Sequence, residues 1–467
     1  ADDPDEVSGL VEVFDATTVP DQSFYGDQTI DEGFGYVTTR DGTTLSATVW
    51  LPGPAEDGPY PTVVEYSGYS PSNPDSGTFA QLYTTLGYAY VGVNMRGTGC
   101  SGGSFEFFEP VQSTDGYDVI EVVAAQPWVA HGHVGMVGVS YPGISQLFVA
   151  STQPPSLAAI TPLSVLDDSI KSTLYPGGIL NTGFALAWSE QREADAEPFG
   201  KGWEQAIVDS GDRMCADNQR MRLQNTEAGQ LIENNPYYSH ELGDPNAPQL
   251  LVDDIDVPEF LAGTWQDEQT GGHFPAMLDD FTSSPHLYAT MLNGTHTESI
   301  ATLAIFERYV EFLELYVAER TPDLTRASVI APVLAGGLTG TSGLSLPTGT
   351  RFAGMSYEEA LAAYESADPV RILFEQGAAD GQEPGSPVPR FEETFAAWPV
   401  LGDVTTWYLG PGGTLDAEPP GGDVAPSSYV SDPQNVSATS FDGEQSELWL
   451  ADVTYDWQPI PEGSGLG

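Results

Sequence analysis

Basic residues are scarce in this 467-residue chain. Only 14 Lys and Arg stand against 68 Asp and Glu, which gives a formal net charge of -54. Nucleic acid and anionic membrane surfaces would be repelled by such a protein, so the charge balance excludes nucleic acid as a partner. High salt would screen the self-repulsion of the carboxylates. We therefore expect a secreted or cell-surface protein, with a high-salt environment as one explanation of the acidity.

Long apolar segments are also missing. No run of about 18 apolar residues occurs, which excludes a membrane span of the usual helical kind. The first fifteen residues, ADDPDEVSGLVEVFD, have neither the basic segment nor the apolar core of a signal peptide. We expect a mature chain from which any signal peptide has been removed.

Cysteine occurs only twice, as Cys100 and Cys215. Two cysteines cannot form a structural zinc site by themselves, and the acidic runs lack the spacing of a calcium-binding EF-hand loop, so we predict no metal. A disulfide between the two cysteines would fit an oxidising compartment, and two buried free thiols are the alternative.

Short apolar segments alternate with helical ones over the first three hundred residues. Residues 36–52 alternate around Asp41-Gly42, a common hairpin turn pair, and the later apolar runs suit parallel strands covered on both faces. Strands that alternate with helices indicate a parallel α/β sheet. The predicted strands lie in segments 60–70, 88–99, 134–140, 157–165, 257–265 and 287–295, and the longest predicted helices lie in 114–126 and 300–320.

The β pattern is interrupted once and changes once. Helix-forming polar stretches replace it between 166 and 250, which predicts a helical insertion over the sheet. From about 368 onward, short β-forming segments are separated by Gly and Pro turns and show no helical period. The predicted domains are a catalytic α/β domain (1–165 and 251–330), a helical cap (166–250), a connecting segment (331–367) and a C-terminal β domain (368–467).

The segment VGMVGVSYPGISQLF, residues 134–148, contains the candidate nucleophile. Ser140 follows an apolar strand and precedes a helical segment, so it lies on a strand-to-helix turn that would expose its hydroxyl above the sheet. Gly138 and Gly143 would let the neighbouring backbone pack closely. Because the second glycine is one residue later than in G-x-S-x-G, the motif alone leaves open a glycine-rich turn with no catalytic role.

The position of each histidine relative to the strands selects a base for this serine. In α/β-hydrolases the chain order is nucleophile, acid, histidine, with both partners in loops after later strands. His296 and Asp267 each directly follow a predicted strand. Glu268 is the nearest alternative acid. The other carboxylates and histidines do not follow a later strand directly: they precede the strand or the serine, lie in the helical insertion, or lie in other loops. They are Asp253, Asp254, Asp256, His131, His133, His240, His273 and His286.

Several segments together resemble the CocE/NonD serine hydrolases, the family of cocaine esterase, α-amino-acid ester hydrolases and X-prolyl dipeptidyl-peptidases. They are RGTGCSGGSFEFFEP, DGYDVIEVVAAQPWV, GHVGMVGVSYPGISQ, FLAGTWQDEQTGG, NGTHTES and WYLGPGGTL, in family order. The resemblance implies an α/β-hydrolase fold with a helical cap and a jelly-roll β domain. It also explains the odd spacing, since the family motif is G-x-S-Y-x-G, and it makes Ser140, Asp267 and His296 the triad.

The resemblance also implies an oxyanion hole, formed by the backbone N–H after the nucleophile and by a tyrosine hydroxyl after an early strand. Tyr141 supplies the first, and Tyr69 is the candidate for the second. Tyr66 is the alternative, because Gly68 stands where the family has proline. The predicted β domain is about half the usual family length, so we expect either a truncated chain or a reduced jelly roll.

These observations predict a serine hydrolase that cleaves an ester or amide through an acyl-enzyme, with a small-molecule ester or short peptide as substrate. This chemistry needs no cofactor, and we predict none. The alternatives are an X-Pro dipeptidyl-peptidase and a non-catalytic protein that binds carbohydrate or another surface on a hydrolase scaffold. The oligomeric state is not indicated by the sequence.

Overall fold

A ten-stranded sheet forms the centre of the computed structural model, which describes residues 18–225, 227–374, 381, 387–400, 402, 405–411, 414–422 and 424. The sheet order is β1-β2-β4-β3-β5-β6-β7-β8-β9-β10. The strands are β1 Gly33–Thr38, β2 Thr44–Trp50, β3 Thr62–Ser67, β4 Ala89–Asn94, β5 Val134–Val139, β6 Leu157–Leu163, β7 Glu259–Thr264, β8 Leu287–Leu292, β9 Val370–Phe374 and β10 Phe391–Phe395.

The strands from β4 to β9 in this order run parallel, and antiparallel strands lie at both ends of the sheet. β3 and β4 are buried along their whole length, as the continuous apolar runs of the sequence predict, because helices cover both faces. Each predicted strand between 36 and 295 is present, and β1 and β2 form the hairpin expected around Asp41-Gly42.

Helices cover the two faces of the sheet unequally. α3 and α4 pack on one face and belong to one apolar core, whereas α2, α11, α12 and α13 build the core of the other face. The helices are α1 Gln22–Gly26, α2 Thr78–Leu86, α3 Pro110–Ala124, α4 Tyr141–Ala150, α5 Ala185–Ala196, α6 Trp203–Asp209, α7 Arg213–Gln219, α8 Ala228–Asn234, α9 His240–Gly243, α10 Glu298–Ala301, α11 Leu303–Tyr316, α12 Ala327–Thr339 and α13 Tyr357–Glu365. No helix in these described ranges is both long enough and apolar enough for a bilayer crossing.

The segment between β6 and β7 is helical, and it carries α5 to α9 together with a π-helical turn at Ser169–Leu174. A disulfide joins Cys215 in α7 to Cys100 in the loop after β4. The loop that it closes spans 115 residues. The bond thus ties the helical insertion covalently to the α/β core.

The predicted boundary at residue 368 is wrong. The segment VRILFEQG, which we assigned to a separate β domain, begins with β9, and β9 pairs in parallel with β8 in the central sheet. β10 then pairs antiparallel with β9. A strand bounded by turns has the same local pattern whether it ends one sheet or begins another, so the sequence could not separate the two.

The predicted connecting segment 331–367 holds most of α12 and all of α13, which pack in the same core as α11. Beyond β10, the described residues include one short two-stranded ladder, β11 Tyr408–Gly410 with β12 Thr414–Asp416. Most of the remaining predicted β domain, including SELWLADVTYDW, lies outside the described residues, and the jelly roll stays a prediction.

Candidate active site

Ser140 lies on the turn between β5 and α4 in a conformation that L-residues rarely adopt, with φ 67° and ψ -127°. A Cβ on Gly138 would lie 2.6 Å from the Pro142 side chain, and a Cβ on Gly143 would lie 2.7 Å from the Leu163 carbonyl oxygen. Both glycines are therefore required sterically. Pro142 is tolerated because it lies in the first helical turn, where its missing N–H breaks no helical hydrogen bond.

His296 and Asp267 lie in the loops that follow β8 and β7, at the same edge of the sheet as Ser140. The Nδ1 atom of His296 is 2.9 and 2.8 Å from the two carboxylate oxygens of Asp267. Both side chains are buried. Two neighbouring parallel strands thus bring together residues that are 29 positions apart in the chain.

The Asp267 carboxylate is held by several donors besides the histidine. Its Oδ1 accepts the N–H groups of Gln269 and Thr270, each at 2.8 Å, and its Oδ2 accepts the Thr270 hydroxyl at 2.7 Å. Burial acts to raise the pKa of Asp267, but the hydrogen bonds and the His296 charge outweigh it and hold this pKa below its ordinary value. The carboxylate is fixed and ionised.

The alternative acid Glu268 contacts the same histidine differently. Its Oε2 accepts the backbone N–H of His296 at 3.0 Å, so it holds the main chain, whereas Asp267 contacts the ring. The three aspartates Asp253, Asp254 and Asp256 precede β7 and lie at the opposite end of that strand.

The link between Ser140 and His296 runs through the end of β6. The Ser140 N–H donates to the Leu163 carbonyl at 2.8 Å, and the next residue, Ser164, donates its hydroxyl to the His296 carbonyl at 2.7 Å. Among the described residues the Ser140 hydroxyl has no hydrogen bond to the imidazole. Such bonds are often long without substrate and tighten in the reacting complex.

A pocket opens beside Ser140 and Tyr141, between the sheet edge and the helical insertion. Its lining is mostly aromatic and aliphatic, and Glu106 is the one carboxylate that lines it within the described residues, although Asp and Glu make up 68 of the 467 residues. The lining is Glu106, Phe107, Phe108, Ser140, Tyr141, Ile144, Leu166, Ser169, Ile170, Thr173, Leu174, Tyr175, Phe184, Ala185, Trp188, Ser189, Leu231, Ile232, Asn235, Tyr237, Tyr238, Ser239, Leu242, Gly243, Asn246 and Thr270.

The predicted oxyanion-hole residues lie beside each other. Tyr141 is the first residue of α4, so its N–H lies outside the helical hydrogen-bond pattern. The rings of Tyr69 and Tyr141 make an edge-to-face contact at 5.4 Å. By contrast, Tyr66 is buried and donates its hydroxyl to the Gln112 carbonyl in α3. A Cβ on Gly68 would lie 2.8 Å from the Tyr141 ring, which accounts for glycine where the family has proline.

Sequence reasoning missed three supporting residues. Thr270 and Ser164 hold the acid and the histidine loop, and Trp188 in α5 donates its indole N–H to the Tyr69 hydroxyl at 3.1 Å. The first two are small polar residues in strand-end loops and could have been found by their position. Trp188 carries no such signal, because it is 119 residues from its partner.

The sheet order, the strained serine and the buried imidazole–carboxylate pair define an α/β-hydrolase. A model of the X-Pro dipeptidyl-peptidase (S15 family) matches residues 41–298, more than half of the chain. The chain belongs to this family, and the predicted resemblance to CocE/NonD serine hydrolases is confirmed.

Individual relatives are distant. Cocaine esterase from Rhodococcus is 32% identical over 159 residues, which are 33% of this chain and 27% of that protein. A CocE/NonD family hydrolase from Staphylococcus aureus has a similar fold, with a TM-score of 0.59 at 19% identity over 83% of this chain and 60% of that one. An aminopeptidase from a marine sediment archaeon has a TM-score of 0.58 at 16% identity over 93% and 68% of the two chains. The sequence match thus covers well under two thirds of the curated relatives' length.

Proposed function

We propose that this protein hydrolyses carboxylic esters through an acyl-enzyme on Ser140. The observation that carries the proposal is the buried His296–Asp267 pair at the sheet edge on which the strained Ser140 turn lies. A hydroxyl above this edge, an imidazole and an ionised carboxylate are the parts of a nucleophilic triad. These site residues are needed for the proposal, because one fold can carry many unrelated activities.

In the proposed reaction the Ser140 oxygen attacks the ester carbonyl carbon while His296 takes the hydroxyl proton. The carbonyl π bond opens to an oxyanion, which accepts hydrogen bonds from the Tyr141 N–H and the Tyr69 O–H. The oxyanion then collapses, the bond to the alkoxide breaks, and His296 gives its proton to the leaving alcohol. A water molecule then gives a proton to the same imidazole and attacks the acyl carbon, and a second oxyanion forms. When this oxyanion collapses, the bond to the Ser140 oxygen breaks, His296 returns the proton to Ser140, and the acid is released.

The pocket favours neutral, apolar esters. An aminopeptidase must hold a substrate ammonium group, and carboxylates are the usual partners for it. The described pocket offers Glu106 alone amid aromatic and aliphatic side chains. Burial of an apolar group against such a lining is favourable by about 25 cal/mol per Å², so an aryl or aliphatic acyl group fits better than a charged one.

Hydrolysis of p-nitrophenyl butyrate and p-nitrophenyl benzoate in high salt tests the proposal. Ser140→Ala should lower kcat by at least about 10³-fold, since loss of a triad nucleophile removes the covalent route. Ser151→Ala is the matched control, because Ser151 lies at the other end of α4 and donates its hydroxyl to the Phe148 carbonyl. Equal rates for wild type and Ser140→Ala would refute the proposal.

Cleavage of Xaa-Pro peptides is the second candidate function. It is favoured by the family whose model matches the chain and by the presence of Glu106 in the pocket. Turnover of Ala-Pro-p-nitroanilide and its loss in Glu106→Gln, with ester hydrolysis retained, would establish this function. We expect the butyrate ester to be the better substrate.

We further propose that the protein works in an oxidising compartment outside the cytoplasm. The disulfide between Cys100 and Cys215 supports this, since such bonds persist mainly in secreted and surface proteins. Mass spectrometry of peptides from the natural source, alkylated before reduction, should find the two cysteines linked. Alkylated free thiols at both positions would contradict it.

A further inference from the structure

We infer that Trp188 of the helical insertion is a positioning residue that orients the Tyr69 hydroxyl toward the oxyanion. This inference rests on the proposed ester hydrolysis. Its starting observation is the hydrogen bond from Trp188 Nε1 to Tyr69 Oη, 3.1 Å long, which joins α5 to the loop after β3. It would make the insertion part of the oxyanion hole as well as a wall of the pocket.

The direction of this hydrogen bond decides where the tyrosine proton goes. An indole N–H can only donate, so Tyr69 Oη must be the acceptor and keeps its own proton for another partner. Within the described part of the chain, Tyr69 donates that proton to no side chain or carbonyl. Tyr66 is the contrast, because its proton is engaged by the Gln112 carbonyl at 3.0 Å.

The surroundings of Trp188 connect this donor to Tyr141, the residue after the nucleophile. Trp188 lines the same pocket as Ser140, and its ring makes an edge-to-face contact with Tyr141 at 5.3 Å. The Tyr69 ring contacts Tyr141 at 5.4 Å. The two side chains therefore meet around the residue whose N–H is the other predicted donor of the oxyanion hole.

A second residue of α5 acts on the same tyrosine. Arg192 lies one helical turn after Trp188, and its guanidinium carbon is 4.8 Å from the centre of the Tyr69 ring. The guanidinium is fixed by Asp195 at 2.6 Å. A cation over the ring stabilises the negative charge that develops on the phenol as its proton is shared with an oxyanion. Two residues on one face of α5 thus act on Tyr69: Trp188 orients its hydroxyl, and Arg192 polarises its ring.

A double-mutant cycle with p-nitrophenyl butyrate tests the inference in the full-length protein. Tyr69→Phe should lower kcat roughly 10²-fold, as loss of one oxyanion donor does. Trp188→Phe keeps an aromatic ring and removes the N–H, and should lower kcat roughly 3- to 10-fold with KM within about twofold. In the Tyr69→Phe background the same tryptophan change should lower kcat by less than about twofold, because no hydroxyl remains to be oriented.

Trp203→Phe is the matched control. Trp203 lies in α6 of the same insertion, its Nε1 is buried without a hydrogen-bond partner among the described residues, and it lies away from the pocket lining. It should leave kcat unchanged. Affinity for phenylboronic acid, which forms a tetrahedral adduct with the serine, should fall in Trp188→Phe in parallel with kcat and should not fall in Trp203→Phe.

Additive effects of Trp188→Phe and Tyr69→Phe would overturn the inference, since Trp188 would then act through packing. So would a full-rate Tyr69→Phe variant. If Trp188→Phe does not fold, Trp188→Leu, which also lacks the indole N–H, gives the same test: a decrease in kcat only where Tyr69 is present supports the inference, and an equal decrease without it contradicts it. Failure of the proposed function is separate, because it appears as unchanged hydrolysis by Ser140→Ala.

Discussion

Two buried carboxylates, one at the carboxyl edge of the sheet and one in its interior, have opposite protonation behaviour. Asp267 accepts hydrogen bonds from two backbone N–H groups, a hydroxyl and an imidazole, and its pKa lies below the ordinary value. Glu65 on β3 accepts the Tyr90 hydroxyl, and burial raises its pKa to about 7. The donors around a carboxylate, more than its depth, separate the two cases.

This contrast matters because the chain has 68 acidic residues. An ionised, fixed carboxylate can stabilise an imidazolium as it forms, whereas a buried carboxyl that keeps its proton up to about neutrality cannot. The acidity of the chain as a whole therefore says little about catalysis. The hydrogen-bond donors that the strand-end loop supplies to Asp267 are more informative, because they keep this one carboxylate ionised and fixed beside an imidazole.

The largest effect should come from Asp267→Asn, which keeps the shape of the side chain and removes its charge. The amide can favour the wrong imidazole tautomer, so we expect kcat for p-nitrophenyl butyrate to fall about 10³- to 10⁴-fold. Glu268→Gln is the control, since Glu268 accepts the His296 backbone N–H and the Gln269 side-chain amide but does not contact the imidazole ring. This control variant should lower kcat by about tenfold or less. An equal decrease in kcat in both variants would contradict the distinction between the two acids.

A stability effect should come from Glu65→Gln. In the wild type the folded pKa of about 7 exceeds the ordinary value of 4.5, so the folded state binds more protons. Stability from this group is then fully present below about pH 4.5 and is lost as the pH rises toward and beyond 7. The loss is on the order of 3 kcal/mol. The glutamine variant should lack it.

Urea unfolding at pH 5 and pH 8, in constant high salt, measures this difference. Glu56→Gln, at an exposed position, should follow the wild type. If Glu65→Gln showed the same change in the free energy of unfolding as wild type between the two pH values, Glu65 would be ionised in the folded protein and the contrast with Asp267 would fail.

The smallest effect should be that of Glu65→Gln on turnover. Glu65 accepts the Tyr90 hydroxyl at 2.6 Å, and Tyr90 belongs to the core on the face of the sheet opposite α4. We expect kcat/KM at pH 6 to stay within about twofold of wild type, the change usual for a site that contacts no reacting group. A larger loss of activity in a variant of normal stability would show that the interior carboxylate affects the site.

The strand ends were the part of the site that the sequence could predict. Ser140, Asp267 and His296 each follow a run of buried apolar residues, and parallel strands bring such ends to one edge. The sequence favours Tyr69 and keeps Tyr66 as the alternative. The hydrogen bond that engages the Tyr66 hydroxyl could not be predicted, because its acceptor is the Gln112 carbonyl in a neighbouring helix.

One contact between the helical insertion and the core could be predicted, the Cys100–Cys215 disulfide, because the chain has only two cysteines. The noncovalent contacts between them could not. The bond from Trp188 to Tyr69 joins segments with no shared periodicity. The placement of β9 failed for a related reason, since strand pairing partners are set by the whole sheet and not by the five residues of the strand.

Active-site labelling tests the central claim most directly. Wild-type protein treated with a fluorophosphonate should gain a single adduct, and peptide mapping by mass spectrometry should locate it on Ser140, because the proposed triad would activate that hydroxyl alone. His296→Ala should be labelled far more slowly, and Ser140→Ala should not be labelled. An adduct on another residue, or equal labelling of wild type and Ser140→Ala, would contradict the account.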